Sequence, residues 1–233
     1  MDEHEIKSVH IELGELCKNE ASKSYLNRVY MWVALSMAVT AGVAIYATHN
    51  ENLMLWTLEH CWLVYIGTLL TVLIMFFAVK ALSVMALQAL LALFSVAEGL
   101  LFGPILIMYT QESLGLTFAC TAATFGVMSL YGAFTKHNLG PWGRWLFMCL
   151  IGLIIGLVIN CFAGSDITSY VLSAIGVVLF SAFTAYDTQQ LLLEGAVLQG
   201  KDREKGVIIG ALDLFIDIIN LFLFLLRFLG DRR

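Results

Sequence analysis

Charge is scarce in this chain, and so is proline. Only 13% of its 233 residues are Asp, Glu, Lys or Arg and only 2 are Pro, where a soluble domain carries about 25% charged residues. A chain so poor in charge and so apolar is not disordered, because disorder needs the opposite composition. Cations are the rarer sign, 13 against 18 acids. That excludes the clustered positive surface on which polyanion binding and counterion release depend, so nucleic acid is not a partner. Cys-x-x-Cys pairs are missing too. The five cysteines (Cys17, Cys61, Cys120, Cys149, Cys161) are odd in number and lie mostly in apolar runs, which excludes a disulfide framework or zinc site and reads as buried small hydrophobes. There is no Walker loop, dinucleotide fingerprint, EF-hand loop or metal-spaced histidine cluster; His4, His10, His49, His60 and His137 fall near the N-terminus or at the ends of apolar runs. No tightly bound cofactor is expected.

What is present is apolar length. Hydrophobic residues make up 60% of the chain, more than one soluble core of this size can hide. A helix needs about 20 apolar residues to cross the hydrocarbon layer. Runs of that kind occur near Val29–Thr48, Cys61–Val79, Ser83–Tyr109, Leu116–Phe134, Trp145–Phe162, Thr168–Leu193 and Val207–Phe228. They are continuous rather than alternating, which predicts an all-α integral membrane protein of seven transmembrane helices and excludes a membrane barrel. The organisation expected is a charged head at 1–28, a single seven-helix domain at 29–230 and a short tail at 231–233. The three Gly-x-x-x-Gly pairs, Gly99/Gly103, Gly152/Gly156 and Gly206/Gly210, are candidates for close helix approach.

Orientation follows from the cations. Lys7, Lys18, Lys23, Arg28, Lys80, Lys136, Arg144, Lys201, Arg203 and Lys205 all fall on one side of a seven-span arrangement, whereas the loops His49–His60, Gln111–Gly115 and Ala163–Ile167 hold no Lys or Arg. The cation-rich side is expected to be cytoplasmic, and the N-terminus with it. The head is too charged for a signal peptide, which suits a multi-pass protein of a bacterial inner membrane. Arg227, Asp231, Arg232 and Arg233 conflict with this bias. Either the tail is exported, or the last segment is half-inserted and returns.

The charges retained inside the apolar runs are four acids: Glu98, Asp187, Asp213 and Asp217. A carboxylate at a helix centre costs about 2.5–3.5 kcal/mol on insertion scales, so each needs a partner or an aqueous cavity. Asp213, Asp217, Asn220 and Arg227 recur at offsets that place them on one helix face, too polar for lipid and expected to point at Asp187. Counting depth inward from the predicted helix ends slightly favours Asp213 over Asp217 as the partner of Asp187. Two carboxylates at such a distance cannot both ionise cheaply, so a proton is shared. A shared proton would tie the last two helices together at low pH; its loss would part them and attract a hard cation such as calcium, held transiently by Asp187, Asp213, Asp217 and Asn220 with water.

These residues carry a resemblance. The segment Thr184-Ala-Tyr-Asp-Thr-Gln-Gln190, then Gly210-Ala-Leu-Asp-Leu-Phe-Ile-Asp-Ile-Ile-Asn-Leu-Phe222 and Leu225-Leu-Arg-Phe-Leu-Gly230, resembles the Bax inhibitor family, and most of all its bacterial branch. Ala97-Glu-Gly-Leu-Leu-Phe-Gly-Pro104 and Gly126-Val-Met-Ser-Leu-Tyr-Gly132 extend the likeness to residues 25–230. The resemblance implies six helices around a central seventh and a pH-sensitive calcium leak gated by an aspartate pair. It puts Asp187 and Asp217 in that pair, with Asp213 as a third acid, and Glu98 on the cation pathway. It implies a gate-holding acid and arginine in span two, where this chain offers only Lys80; Lys80 and Arg227 are thus the candidates for a latch or tail contact.

Two other readings compete. Tyr186-Asp187 with Gly210-Ala-Leu-Asp213 looks like the paired-aspartate signature of intramembrane proteases, but the second glycine is Leu212 and no Pro-Ala-Leu follows, so no enzyme is expected. The other is a non-conducting membrane partner that modulates a quality-control protease through its head.

Overall fold

The computed structural model describes residues 19–231, and among them the chain is helical with no strand. The helices are α1 (Glu20–His49), α2 (Glu51–Glu59), α3 (Cys61–Phe77), α4 (Val84–Met108), α5 (Gln111–Phe134), α6 (Trp142–Ala163), α7 (Asp166–Val197) and α8 (Gly200–Leu229). All but α2 and α3 are long and apolar enough to cross a membrane. The chain is thus an all-helical membrane bundle. The N-terminal part of the head and the last two residues lie outside the described residues; residues 20–28 of the head continue into α1 as helix.

The second span departs from expectation. Cys61–Phe77 has 17 residues, about 26 Å at 1.5 Å per residue, and is preceded by α2 at a bend of 75°. The polar-looking stretch before it is therefore helical, not a loop. Asn50 starts α2 by accepting the Leu53 N–H at 3.1 Å, and the break comes at His60, whose N–H turns back to the Trp56 carbonyl at 3.0 Å. If the bent pair counts as one crossing, the total is seven. The other predicted spans hold; α4 is one residue shorter at each end and the rest run longer. α7 and α8 together consume nearly all of the polar connection expected at Glu194–Gly206, and a positive φ of 56° at Gly200 makes the sharp reversal that glycine alone adopts cheaply.

The contacts gather the chain into two compact units. The first unit holds Asn27–Leu114 and Leu198–Phe215, that is α1 to α4 with the start of α8. Here α3 and the short α2 pack on α4. Gly99 and Gly103 do what their spacing predicts: a Cβ on Gly99 would lie 2.7 Å from Val43 Cβ, and one on Gly103 3.1 Å from Ala47 Cβ, so α1 and α4 touch almost backbone to backbone. Thr40 Oγ1 donates to the Ser95 carbonyl at 2.9 Å across the same seam. At the start of α8, Glu204 accepts a two-pronged ion pair from Arg28, with Nη1 to Oε1 at 2.6 Å, and Lys205 Nζ donates to the carbonyls of Val79 and Lys80 at 2.9 and 3.1 Å.

The second unit holds residues 19–26, Gly115–Val197 and Ile216–Gly230. α6 packs on α7, and Leu146, Leu153, Leu179, Phe180, Leu221, Phe224 and Leu225 form its apolar core. Gly156 closes on Leu172, but Gly152 faces open space. The cysteine expectation is corrected here: Cys149 and Cys161 are exposed and Cys61 and Cys120 only half-buried. Their apolar neighbours belong to outward-facing surface rather than to the core.

α8 is the enclosed helix, with 67% of its apolar window buried against 17–28% for the other candidate spans. It is also unbroken from Gly200 to Leu229, with no interruption at which a half-inserted segment would turn back. Its far end is tied down. Phe228 stacks on Tyr170 with ring centres 4.3 Å apart, the Asp231 N–H donates to Ser113 Oγ at 2.9 Å, and the Asp231 carbonyl accepts the Thr110 N–H at 3.2 Å.

Candidate functional site

Within the second unit, α7 and the C-terminal half of α8 run antiparallel. Phe180 stacks on Phe224 at 5.7 Å, and a Cβ on Gly176 would lie 2.5 Å from the Phe224 ring. Only a glycine lets that ring in. From Phe180, seven residues on along α7 reach Asp187, and from Phe224, seven back along α8 reach Asp217. Seven residues is two turns, so the same faces meet again. The Asp187 and Asp217 side chains lie within hydrogen-bonding reach of each other. Asp217 is 4% exposed.

The wall of the site comes from α5. A Cβ on Gly132 would lie 2.2 Å from the Ala185 carbonyl oxygen, so α5 and α7 touch backbone to backbone two residues before Asp187. Ser129 Oγ and Thr188 Oγ1 are 3.3 Å apart, and Thr184 Oγ1 donates to the Phe180 carbonyl at 2.9 Å. Gln189, 2% exposed, accepts the Leu139 N–H at 2.7 Å and donates to the His137 carbonyl at 2.8 Å, which holds the α5–α6 turn against α7. A carboxyl pair enclosed in this way has the phenylalanine stack two turns from it along both helices, about 10 Å away. The arrangement sets two acids together in the α7–α8 seam with an apolar stack two turns away.

The model of the family described as Inhibitor of apoptosis-promoting Bax1 matches residues 22–233. The chain belongs to the Bax inhibitor family. Inner membrane protein YbhL of Escherichia coli strain K12 is 38% identical over 217 residues, covering 91% of this chain and 93% of YbhL. A protein of Deinococcus radiodurans is 35% identical over 212 residues, 91% of each chain, and one of Rickettsia prowazekii 32% over 219 residues, 92% of each.

The acid that meets Asp187 in this family member is the one the resemblance implied, Asp217, not the one the depth count favoured. A depth count assumes that helices end level, whereas the pairing is set by the register of Phe180 on Phe224. Asp213 lies one turn earlier on α8 and is half-buried. Among the described residues, no three His, Cys, Asp or Glu side chains are grouped to hold a metal ion, so a resident site built from Asp187, Asp213 and Asp217 together is not formed. The polar stripe on α8 is also shorter than its offsets suggested. Asn220 is half-buried and its Nδ2 donates to the Ile216 carbonyl of its own helix at 2.9 Å, and Arg227 is exposed.

Glu98 is half-buried on α4, beside the Gly99 contact with α1 and one turn from Phe94, which meets Phe215 edge-on at 5.5 Å. It belongs to the first unit. The Lys80 side chain is exposed, and what Lys80 contributes is its carbonyl. The cation at that turn is Lys205, which the sequence reading passed over because it sat in a loop already assigned to orientation. Gln189 was legible only as part of the quoted Thr-to-Gln segment, with no role attached.

Proposed function

We propose that this chain is a pH-sensitive calcium leak of a bacterial inner membrane, gated by protonation of the Asp187–Asp217 pair. The observation that carries the reading is the close approach of the two carboxyl groups, within reach of a shared hydrogen bond. Such a bond needs a proton on one acid, since an ionised carboxylate only accepts. With the proton in place α7 and α8 are tied, and the Phe180–Phe224 stack closes the seam beside the pair. Without it two anions share a low-dielectric contact and repel, the helices part, and the oxygens of Asp187, Asp217 and Asn220, with water, suit a hard cation in transit. Calcium is here the transported ion rather than a resident cofactor. Asp213 lies one turn from Asp217 on the same helix, a third acid beside the pair.

The inner membrane location rests on likeness to YbhL. The cytoplasmic N-terminus rests on the ten cations and on their loops: Arg28, Glu204, Lys205 and the Val79–Lys80 turn meet at one end of the first unit. The Asp231 contacts with Thr110 and Ser113 favour an exported tail beside the cation-free α4–α5 turn.

The test is calcium entry into liposomes between pH 5 and 8. Native protein should leak more as pH rises. Asp187→Asn and Asp217→Asn, which keep a permanent N–H donor in the pair, should hold flux at the low, acid level throughout. A native flux indifferent to both pH and calcium concentration would end this reading.

A further inference from the structure

The elbow between α2 and α3 takes no part in the aspartate pair. With α3 upright in the membrane, its 17 residues rise about 26 Å, so its His60 end reaches the edge of the roughly 30 Å hydrocarbon layer without passing it. A straight continuation through the 9 residues of α2 would add about 13 Å. The bend of 75° cuts that rise to about 3–4 Å, less than the depth of one headgroup layer. α2 therefore lies nearly in the plane of the boundary.

Its sides differ in chemistry. Met54 and Thr57 are buried and share the side turned to α4, where Met54 Cε lies 3.4 Å from the place of a Cβ on Gly103. Successive residues turn about 100°, so Asn52 and Glu59, both exposed, fall on the opposite side. Two flanks remain. Leu55 and Leu58 share one with Glu51, whereas Trp56 and Leu53 hold the other without a charge. The His60 ring stacks on Trp56 with centres 5.0 Å apart and planes 15° from parallel, and its Nδ1 lies 3.0 Å from the Trp56 carbonyl. That contact fixes the indole at the elbow. Trp56 is 45% exposed and Trp62, in the first turn of α3, 76%. Exposed indoles gathered at a span end suit a headgroup boundary, where one part of the ring is apolar and the other wet.

The charges of the elbow are of one sign. Glu51 and Glu59 are exposed, residues 29–79 contain no Lys or Arg, and the ion pairs among the described residues include neither acid. An anionic headgroup is repelled by such a surface, and an ammonium headgroup complements it.

We propose that α2 is an interfacial helix, seated in the headgroup layer with Trp56 turned to the acyl chains and Glu59 facing the ammonium of a zwitterionic phospholipid of the phosphatidylethanolamine type. A helix of this length is marginal on its own. Packing on α4 covers one side of it, and burial of the Trp56 flank in lipid covers a second.

Tryptophan quenching in vesicles tests it. Trp32→Phe, Trp62→Phe, Trp142→Phe and Trp145→Phe together leave Trp56 as the only indole; if that variant does not fold, the difference between the native chain and Trp56→Phe reads the same group. In equimolar phosphatidylethanolamine and phosphatidylcholine, lipid brominated next to the glycerol should quench Trp56 about twofold more than lipid brominated at the chain end, with aqueous acrylamide a weak quencher. Replacing phosphatidylethanolamine by phosphatidylglycerol should lower the shallow quenching, and Glu59→Gln should shrink that difference. Strongest quenching by the deep bromines would make α2 a re-entrant segment, and quenching by acrylamide alone would leave it in water; either result overturns the proposal. Equal shallow quenching in the two lipid mixtures, or a difference that Glu59→Gln leaves intact, overturns the ammonium assignment.

Discussion

Two glycines on α5 show how much a single hydrogen can decide. At Gly132 a methyl group would meet the Ala185 carbonyl oxygen at 2.2 Å, a backbone atom that cannot swing away, whereas at Gly126 nothing lies within 4 Å. Gly132→Ala should therefore destabilise by about 1–3 kcal/mol through overpacking, and Gly126→Ala should be neutral or stabilising by about 0.5–1 kcal/mol from helix propensity. Thermal melting of the two variants in one detergent checks the contrast; equal melting temperatures would mean that α5 and α7 do not touch as described. The aspartate pair allows a similar comparison. Asp217→Ala leaves the Asp187 carboxyl without its partner and should cost about 1–3 kcal/mol, while Asp217→Asn keeps a donor and should cost less. If alanine is tolerated as well as asparagine, the contact contributes nothing to stability.

At the scale of helices, the register of α7 on α8 is the decisive property. Phe224 fills the space that Gly176 leaves open. Phe224→Ala should cost about 3–5 kcal/mol and, by removing the plug beside the pair, raise calcium entry at acid pH; a stable variant with an unchanged acid leak would separate the stack from the gate. The ion pair of Arg28 with Glu204 is a weaker element. Its side chains are 38% and 40% exposed, so a double-mutant cycle should return about 1 kcal/mol or less, shrinking with salt.

This scale also marks where the sequence was readable. Apolar length located every long helix, and the expense of burying a carboxylate narrowed the charges to Glu98, Asp187, Asp213 and Asp217; only the family resemblance put Asp187 with Asp217. The partner choice was not readable from depth, because crossing geometry depends on which ring enters which gap. The 75° bend at His60 was hidden as well: Glu51 and Glu59 made a short amphipathic helix look like a polar loop, and nothing local announces that it folds back on α4.

For the whole molecule, the length of α8 bears on what charge counting left open. From Glu204, paired with Arg28, to Phe228, stacked on Tyr170, the helix rises through 24 residue steps. That is about 36 Å, more than the roughly 30 Å hydrocarbon layer. A continuous helix of that length is long enough to place its ends on opposite sides, and on that reading Arg227 and Asp231 fall across the membrane from the cation-rich loops. The positive-inside bias tolerates this, because ten cations against three still set the orientation. A fluorescent protein that matures only in the cytoplasm should therefore glow when fused before Met1 and stay dark after Arg233, and alkaline phosphatase, active only outside, should give the reverse. If both ends report the same side, α8 does not cross and α7 cannot be its full-length antiparallel partner in the membrane. The pairing of Asp187 with Asp217, and the gate built on it, would then lose its structural basis.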